Sequence, residues 1–168
     1  ESKEWKDWFE PISWAYQIIR PEMPNKNMAS YAAWKIWFEK IFPYLNDEKL
    51  VLVWHSLGAM FLIKYIGECG FPKKISQLHL ISAVFDESDM DEDEKYTGDF
   101  AYNAEIIKNL EKYCEQIFIY HSTDDDIVPY SHAQKISNYL PWATFVTFHN
   151  KWHFLVSEIP EILKNILN

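Results

Sequence analysis

Short apolar runs alternate with segments of helical periodicity along most of this 168-residue chain. The clearest run is LVLV at 50–53, which is apolar at every position, as in a strand buried on both faces of a parallel sheet. Further strands are predicted at 78–81, 117–120 and 144–148, and helices at 30–41, 57–68, 103–113, 131–140 and 157–167. This alternation predicts an α/β fold in which a parallel sheet is flanked by helices on both faces.

Length and composition indicate a single domain that does not enter a membrane. No internal repeat or linker interrupts the chain, so residues 1–168 are predicted to form a single domain. The two cysteines, Cys69 and Cys114, match no metal-ligand spacing and indicate reduced thiols in a cytoplasmic protein. No apolar run approaches the roughly 20 residues of a membrane span. We therefore expect no membrane association, and no metal or other cofactor.

Negative charge is concentrated in one segment. Residues 86–99 contain eight acidic residues and one lysine, which accounts for seven of the nine net negative charges of the chain. The remainder is nearly neutral and has no basic stripe, which argues against a nucleic-acid partner. The segment is predicted to be a solvated loop, because a Ca²⁺ loop would need a ligand spacing and a central glycine that are not found there.

A serine stands where the first buried strand meets a helix, in the sequence VLVWHSLGA at 51–59. In such a corner, Ser56 would hold its hydroxyl above the sheet, and the N–H of Leu57 would face a developing oxyanion. Taken alone, Ser56 could equally be an ordinary helix N-cap, because the match to the G-x-S-x-G motif is imperfect.

Acidic residues and histidines follow two later strands. Three consecutive aspartates, 124–126, lie just after the strand at 117–120, and His149 and His153 follow the last strand. Taken separately, these are ordinary features of a turn and of a surface loop. Serine, acid and histidine after successive strands, however, is the chain order of the α/β-hydrolase catalytic triad. Spacing alone leaves the three aspartates as alternatives for the acid, and His149 as an alternative base.

Over almost its whole length, the chain resembles the small α/β-hydrolases of the retinoblastoma-binding-protein-9 / YdeN family. The motifs that carry the resemblance are Trp5 and Trp8 (W-x-x-W), PEMP at 21–24, WHSLG at 54–58 (G-H-S-x-G), STDDDIVP at 122–129 and WHF at 152–154 (G-H-F). The resemblance implies Ser56 as nucleophile, Asp125 as orienting acid and His153 as general base. It also implies a serine hydrolase that acts without a cofactor on a small carboxylic ester or related acyl substrate, through an acyl-enzyme.

Two departures from the family pattern affect the expected activity. The chain begins at Glu1, past the family's first strand and the loop that supplies a second oxyanion donor, so we expect it to be truncated at the N-terminus. Trp54 and Trp152 stand where the family has glycine, and we expect them to impair activity by crowding the site. UGA codons meant as glycine and translated as tryptophan would explain both, together with Trp14 and Trp142. The alternative function is a non-catalytic α/β-hydrolase-fold protein that serves as an interaction module.

Overall fold

The computed structural model describes residues 8–46, 48–92, 95, 97–156 and 158–168. One four-stranded sheet has the order β1-β2-β3-β4, and every neighbouring pair is parallel. The strands are β1 (Val51–His55), β2 (Ile75–Ile81), β3 (Cys114–Ser122) and β4 (Thr144–Phe148). The α-helices are α1 (Tyr31–Glu39), α2 (Leu57–Cys69), α3 (Ser131–Tyr139) and α4 (Pro160–Leu167). The predicted parallel sheet flanked by helices is confirmed.

The strands bury side chains on both faces, as their continuous apolar sequences predict. In β1, Leu52 and Trp54 contribute to the larger core, which contains residues of α1, α2 and α3. Val51 and Val53 point the other way and pack on the smaller core under α4. This two-sided burial holds the sheet rigidly, so the loops at its strand ends are well positioned to carry a site.

The segment predicted as a helix at 103–113 forms a 3₁₀ helix, Ala104–Lys112, rather than an α-helix. Its buried side chains, Ile107 and Leu110, are three residues apart, which fits three residues per turn. The segment also lies very close to α2, because a Cβ on Gly67 would be 2.9 Å from the carbonyl oxygen of Ile106. The tighter winding therefore follows from the spacing of the buried residues and the close packing.

Several acidic side chains of the 86–99 segment are bonded to the fold rather than merely solvated. Glu87 accepts hydrogen bonds from the backbone N–H and the hydroxyl of Thr97, both at 2.6 Å. Asp99 accepts from the N–H of Tyr31 at 2.7 Å and from the hydroxyl of Ser30 at 3.1 Å, so it caps α1 from a distant part of the chain. Residues 93, 94 and 96 of this segment lie outside the described residues, as do Trp5 and the predicted start of the last helix at 157.

None of the helices in the described residues combines the length and apolarity needed to cross a bilayer. These residues also contain no group of three or more His, Cys, Asp or Glu side chains placed to hold a metal ion. Cys69 is exposed, Cys114 is buried, and both are free thiols.

Candidate active site

The three residues predicted to form a triad lie at one edge of the sheet. Ser56 follows β1 directly, Asp125 lies three residues after the end of β3, and His153 lies five residues after the end of β4. Because all four strands are parallel, their carboxyl ends share this edge, which is where α/β folds place their sites.

Ser56 sits in a strained turn. Its backbone angles, φ 54° and ψ −127°, are rare for a residue with a side chain. The turn is held because the N–H of Ser56 donates to the carbonyl of Ile81 at 2.9 Å, while its own carbonyl accepts from the N–H of Ala59 at 2.9 Å. Its side chain makes no capping hydrogen bond, which argues against the N-cap interpretation. Leu57 begins α2, so its N–H has no acceptor within the helix and lies at the positive end of the helix dipole.

Asp125 and His153 form a buried hydrogen-bonded pair. Nδ1 of His153 lies 3.0 Å from each carboxylate oxygen of Asp125. Oδ1 also accepts from the N–H groups of Ile127 and Val128 at 3.1 and 2.9 Å, and Oδ2 accepts from the hydroxyl of Ser82 at 2.7 Å. Burial alone would raise the pKa of Asp125, but hydrogen bonds from His153, Ser82 and Val128 outweigh it and hold this pKa below its usual value. The carboxylate is therefore ionised and fixed in orientation.

The neighbouring aspartates have other positions. Asp124 accepts hydrogen bonds from the hydroxyl of Ser122 and, at 3.2 Å, from the N–H of Trp152, so it ties the two loops together. These bonds, that of Ser122 first, lower the pKa of Asp124. Asp126 is exposed. The structure thus brings Asp125, and neither neighbour, to the imidazole of His153.

His149, the alternative base, is exposed and close to the end of β4. Its Nδ1 lies 3.1 Å from the hydroxyl of Thr123. The imidazole that meets a buried carboxylate is that of His153.

His55 links the serine turn to the histidine loop, a role that the sequence alone did not indicate. Within the described part of the chain, no hydrogen bond joins the Ser56 hydroxyl to the imidazole of His153. Instead, Nε2–H of His55 donates to the carbonyl oxygen of His153 at 2.8 Å, and the two imidazole centroids are 4.5 Å apart. Burial, and then the nearby charge of His153, lower the pKa of His55 to about 3, so its ring is neutral near pH 7. A hydrogen bond between a nucleophile and its base is often absent from a free enzyme, because catalytic hydrogen bonds commonly shorten only when substrate binds.

Trp54 fills space that Gly58 leaves open. Its ring packs in the larger core, with centroids 5.4 Å from Phe61, 5.6 Å from Phe38 and 6.4 Å from Trp34. A Cβ on Gly58 would lie only 2.7 Å from Cε3 of the indole. The large residue at 54 and the glycine at 58 are therefore a matched pair at the base of the serine turn.

The contact between Trp54 and Gly58 can be tested by its effect on stability. We expect Gly58→Ala to lower the free energy of unfolding by about 1–3 kcal/mol, because the methyl group overpacks against the indole. In a Trp54→Val background, the same change should be neutral or slightly stabilising, because the ring is gone and alanine favours a helix by up to about 1 kcal/mol. Urea denaturation of the four proteins in this cycle measures the coupling, and equal costs in both backgrounds would contradict the contact.

Trp152 has a backbone conformation that suits glycine. Its φ is 49°, in the left-handed region, and its side chain is 67% exposed. Trp14, Trp54 and Trp142 are not among the described residues with positive φ. Of the four tryptophans at glycine-like sequence positions, Trp152 is thus the one whose backbone itself favours glycine.

We therefore expect Trp152→Gly to raise the free energy of unfolding by about 0.5–1 kcal/mol, because it removes left-handed strain and gives up little burial. Trp142→Gly is the matched control. Trp142 is 40% exposed and lacks a positive φ, so its replacement should lower stability. Denaturation midpoints of the two variants check this, and a loss of stability in both would show that the Trp152 ring contributes more than its exposure indicates.

A groove of about 940 Å³ runs along the side of β1 that does not face β2. Its lining is largely apolar and reaches the serine turn at Trp54, His55 and Gly58. Ser56, Asp125 and His153 do not line it. This groove thus adjoins the candidate site without containing its reactive groups.

Comparisons with known proteins identify the family of the chain and agree with its fold. A family model described as serine hydrolase matches residues 2–159. The serine hydrolase RBBP9 of Rattus norvegicus is 27% identical over 150 residues, which are 89% of this chain and 75% of that protein. The ydeN gene product of B. subtilis aligns with a TM-score of 0.78 at 16% identity, over 95% of this chain and 86% of its own. The meta-cleavage product hydrolase CumD of Pseudomonas fluorescens IP01 aligns with a TM-score of 0.71 at 16% identity, over 98% of this chain and 80% of its own.

The resemblance noted in the sequence is confirmed: the chain is an α/β-hydrolase-fold member of the serine hydrolase family, in its RBBP9/YdeN branch.

Proposed function

We propose that this protein hydrolyses a small carboxylic ester or related acyl substrate through an acyl-enzyme. Ser56 is the nucleophile, His153 the general base, Asp125 the orienting acid, and the N–H of Leu57 an oxyanion donor. The observation that carries the proposal is the buried Asp125–His153 pair, with Nδ1 at 3.0 Å from both carboxylate oxygens, at the same sheet edge as the strained turn of Ser56.

The chemistry follows from these positions. Asp125 accepts from Nδ1–H, so Nε2 of His153 is the nitrogen free to take a proton. As the oxygen of Ser56 attacks the substrate carbonyl, Nε2 accepts its proton, and the N–H of Leu57 stabilises the oxyanion. Nε2–H then protonates the leaving group, which departs and leaves the acyl group on Ser56. Water repeats the same sequence, releases the acid and restores the serine.

The surroundings support a neutral substrate. The 86–99 segment begins five residues after the end of β2 and carries seven of the nine net negative charges of the sequence, which disfavours an anionic ligand. The aromatic ring of Phe85 packs on those of Tyr102 and Tyr139, at 6.4 and 6.2 Å, and so supplies apolar surface beside this segment. The two free thiols accord with a cytoplasmic enzyme.

A fluorophosphonate probe tests the proposal, because it reacts with a serine that an adjacent base activates. We expect mass spectrometry to find the adduct on Ser56, and Ser56→Ala and heat-denatured protein to carry none. The same measurement on a Trp54→Gly/Trp152→Gly variant tests whether the tryptophans impair activity, in which case the variant should react faster. Absence of an adduct from both proteins would overturn the proposal and leave the non-catalytic interaction module as the function.

A further inference from the structure

Ser82 is a buried hydroxyl residue that the proposed mechanism does not use. It follows β2 directly, at the same sheet edge as the other three residues, and its exposed fraction is 0%. Its N–H donates to the carbonyl of Tyr120 at 2.9 Å, and its hydroxyl donates to Oδ2 of Asp125 at 2.7 Å. Its position between the serine turn and the acid loop is therefore fixed by both backbone and side chain.

The backbone conformation of Ser82 would suit glycine better than serine, so the hydroxyl must account for the serine at this position. Its φ is 43°, a left-handed value at which glycine is free of strain and serine is not. A position with only a backbone role would be served better by glycine. The hydroxyl therefore makes a contribution that offsets the cost of the strained backbone.

That contribution is visible in the partners of the carboxylate. Oδ1 of Asp125 is held by two backbone N–H groups, whereas Oδ2 has no backbone donor among the described residues. Besides His153, the neighbours of Oδ2 are the Ser82 hydroxyl at 2.7 Å and Nε2 of His121 at 3.4 Å. Nε2–H of His121 already donates to the carbonyl of Val128 at 2.8 Å. Ser82 is thus the close side-chain donor that fixes the rotation of the carboxylate.

We propose that Ser82 is a positioning residue of the triad: its hydroxyl fixes Oδ2 of Asp125 and thereby the orientation of the His153 imidazole. This inference rests on the proposed function, since it concerns the same site. Ser82 acts through Asp125 and does not touch the substrate. Without the hydroxyl, Oδ1 stays anchored by the two N–H groups, but Oδ2 is held less tightly because this buried oxygen loses a hydrogen bond.

The same hydroxyl affects the pH dependence of the site. Its hydrogen bond is one of the causes that lower the pKa of Asp125, so its removal raises that pKa. The titratable groups that face the pair are His121 of β3, at 3.4 Å from Asp125, and His55 of β1, whose ring centroid is 4.5 Å from that of His153. Asp125 is then protonated at a higher pH, so the acid limb of the rate profile should move to higher pH.

Two variants at this position separate the hydroxyl from the backbone. Ser82→Gly and Ser82→Ala both remove the hydroxyl, but only glycine relieves the strain at φ 43°. We expect both to lower the rate constant for fluorophosphonate labelling about tenfold at pH 7 and to shift the acid limb upward. Ser137→Ala, which removes a hydroxyl bonded to the carbonyl of Gln134 in α3, is the control and should match the wild type. A wild-type rate and pH profile in Ser82→Gly would overturn the proposal, because only the backbone would then matter.

A spectroscopic measurement separates this inference from the proposed function. The Nδ1–H proton of His153, observed by NMR in the unlabelled protein, reports its hydrogen bond to Asp125 whether or not Ser56 reacts. We expect this signal to shift and broaden in both Ser82 variants and to be unchanged in Ser137→Ala. If Ser56 is never labelled but the signal responds, the proposed function fails and the positioning role stands. If labelling occurs and neither rate nor signal changes, the inference about Ser82 alone fails.

Discussion

Asp125→Asn should leave the fold intact and lower the rate of Ser56 labelling about 10⁴-fold. The substitution keeps one oxygen, which can still accept from the N–H groups of Ile127 and Val128. Its amide nitrogen then replaces Oδ2, one of the two oxygens that lie 3.0 Å from Nδ1 of His153, and two donors would oppose each other there. The imidazole must move its proton to Nε2, the nitrogen that should accept the proton of Ser56. Labelling kinetics measure the loss, and circular dichroism checks the fold.

The two adjacent aspartates are the matched controls for this prediction. Asp126→Asn should have little effect, because Asp126 is exposed. Asp124→Asn removes the negative charge of a side chain whose hydrogen bonds join two loops. We expect the labelling rate to fall by less than about tenfold, because one hydrogen bond is weakened. If Asp124→Asn were the most damaging of the three, the acid would be Asp124, and the register taken from the family would be wrong by one residue.

The parallel sheet and the edge that holds the candidate site could be predicted because they depend on local pattern. Continuous apolar runs such as 50–53 specify strands buried on both faces, and parallel strands bring the residues that follow them to one edge. Ser56, Asp125 and His153 were therefore accessible from sequence, although the choice of Asp125 among three aspartates needed the family motif. In the structure, this choice agrees with the hydrogen bonds to His153.

The supporting residues could not be predicted, because their partners are distant in sequence. Ser82 meets Asp125 across 43 residues, and His55 meets the carbonyl of His153 across 98. A serine after a strand has no local feature that distinguishes it from a turn residue, and its positive φ is known only from the structure. The capping of α1 by Asp99 could not be predicted for the same reason, because Asp99 meets the N–H of Tyr31 across 68 residues.

Two histidines whose pKa values are strongly lowered in the folded protein, His55 and His79, should make the fold sensitive to acid. His79 is fully buried and stacks against both Phe118 and Tyr120, with ring centroids 4.7 and 5.7 Å away. Its Nδ1 lies 2.9 Å from the hydroxyl of Tyr120, and its Nε2 lies 3.4 Å from Oε1 of Gln77. A neutral ring satisfies both contacts, since Nε2–H donates to the amide oxygen and Nδ1 accepts from the phenol. Burial, and then the charge of Lys49, lower the pKa of His79 from 6.5 to about 3.

The sign of the effect follows from linkage. His55 and His79 have lower pKa values in the folded than in the unfolded protein, so the unfolded chain binds more protons between pH 6.5 and about 3. The contribution of these two histidines to the free energy of unfolding is therefore fully present above pH 6.5, and it is lost as the pH falls through this range. Each histidine adds a slope of about 1.4 kcal/mol per pH unit, so the two together remove roughly 5 kcal/mol by pH 4.5, which is comparable to the stability of a small domain.

Urea denaturation between pH 7 and 4.5 measures this slope, and His79→Gln should reduce it by about 1.4 kcal/mol per pH unit. A difference in stability between the variant and the wild type at pH 7 does not affect the test, because the prediction concerns the dependence on pH. His149→Gln is the control, since His149 is exposed, and it should leave the slope unchanged. An unchanged slope in His79→Gln would mean that the His79 ring accepts a proton in the folded protein, which its stacked and hydrogen-bonded position between Phe118, Tyr120 and Gln77 argues against.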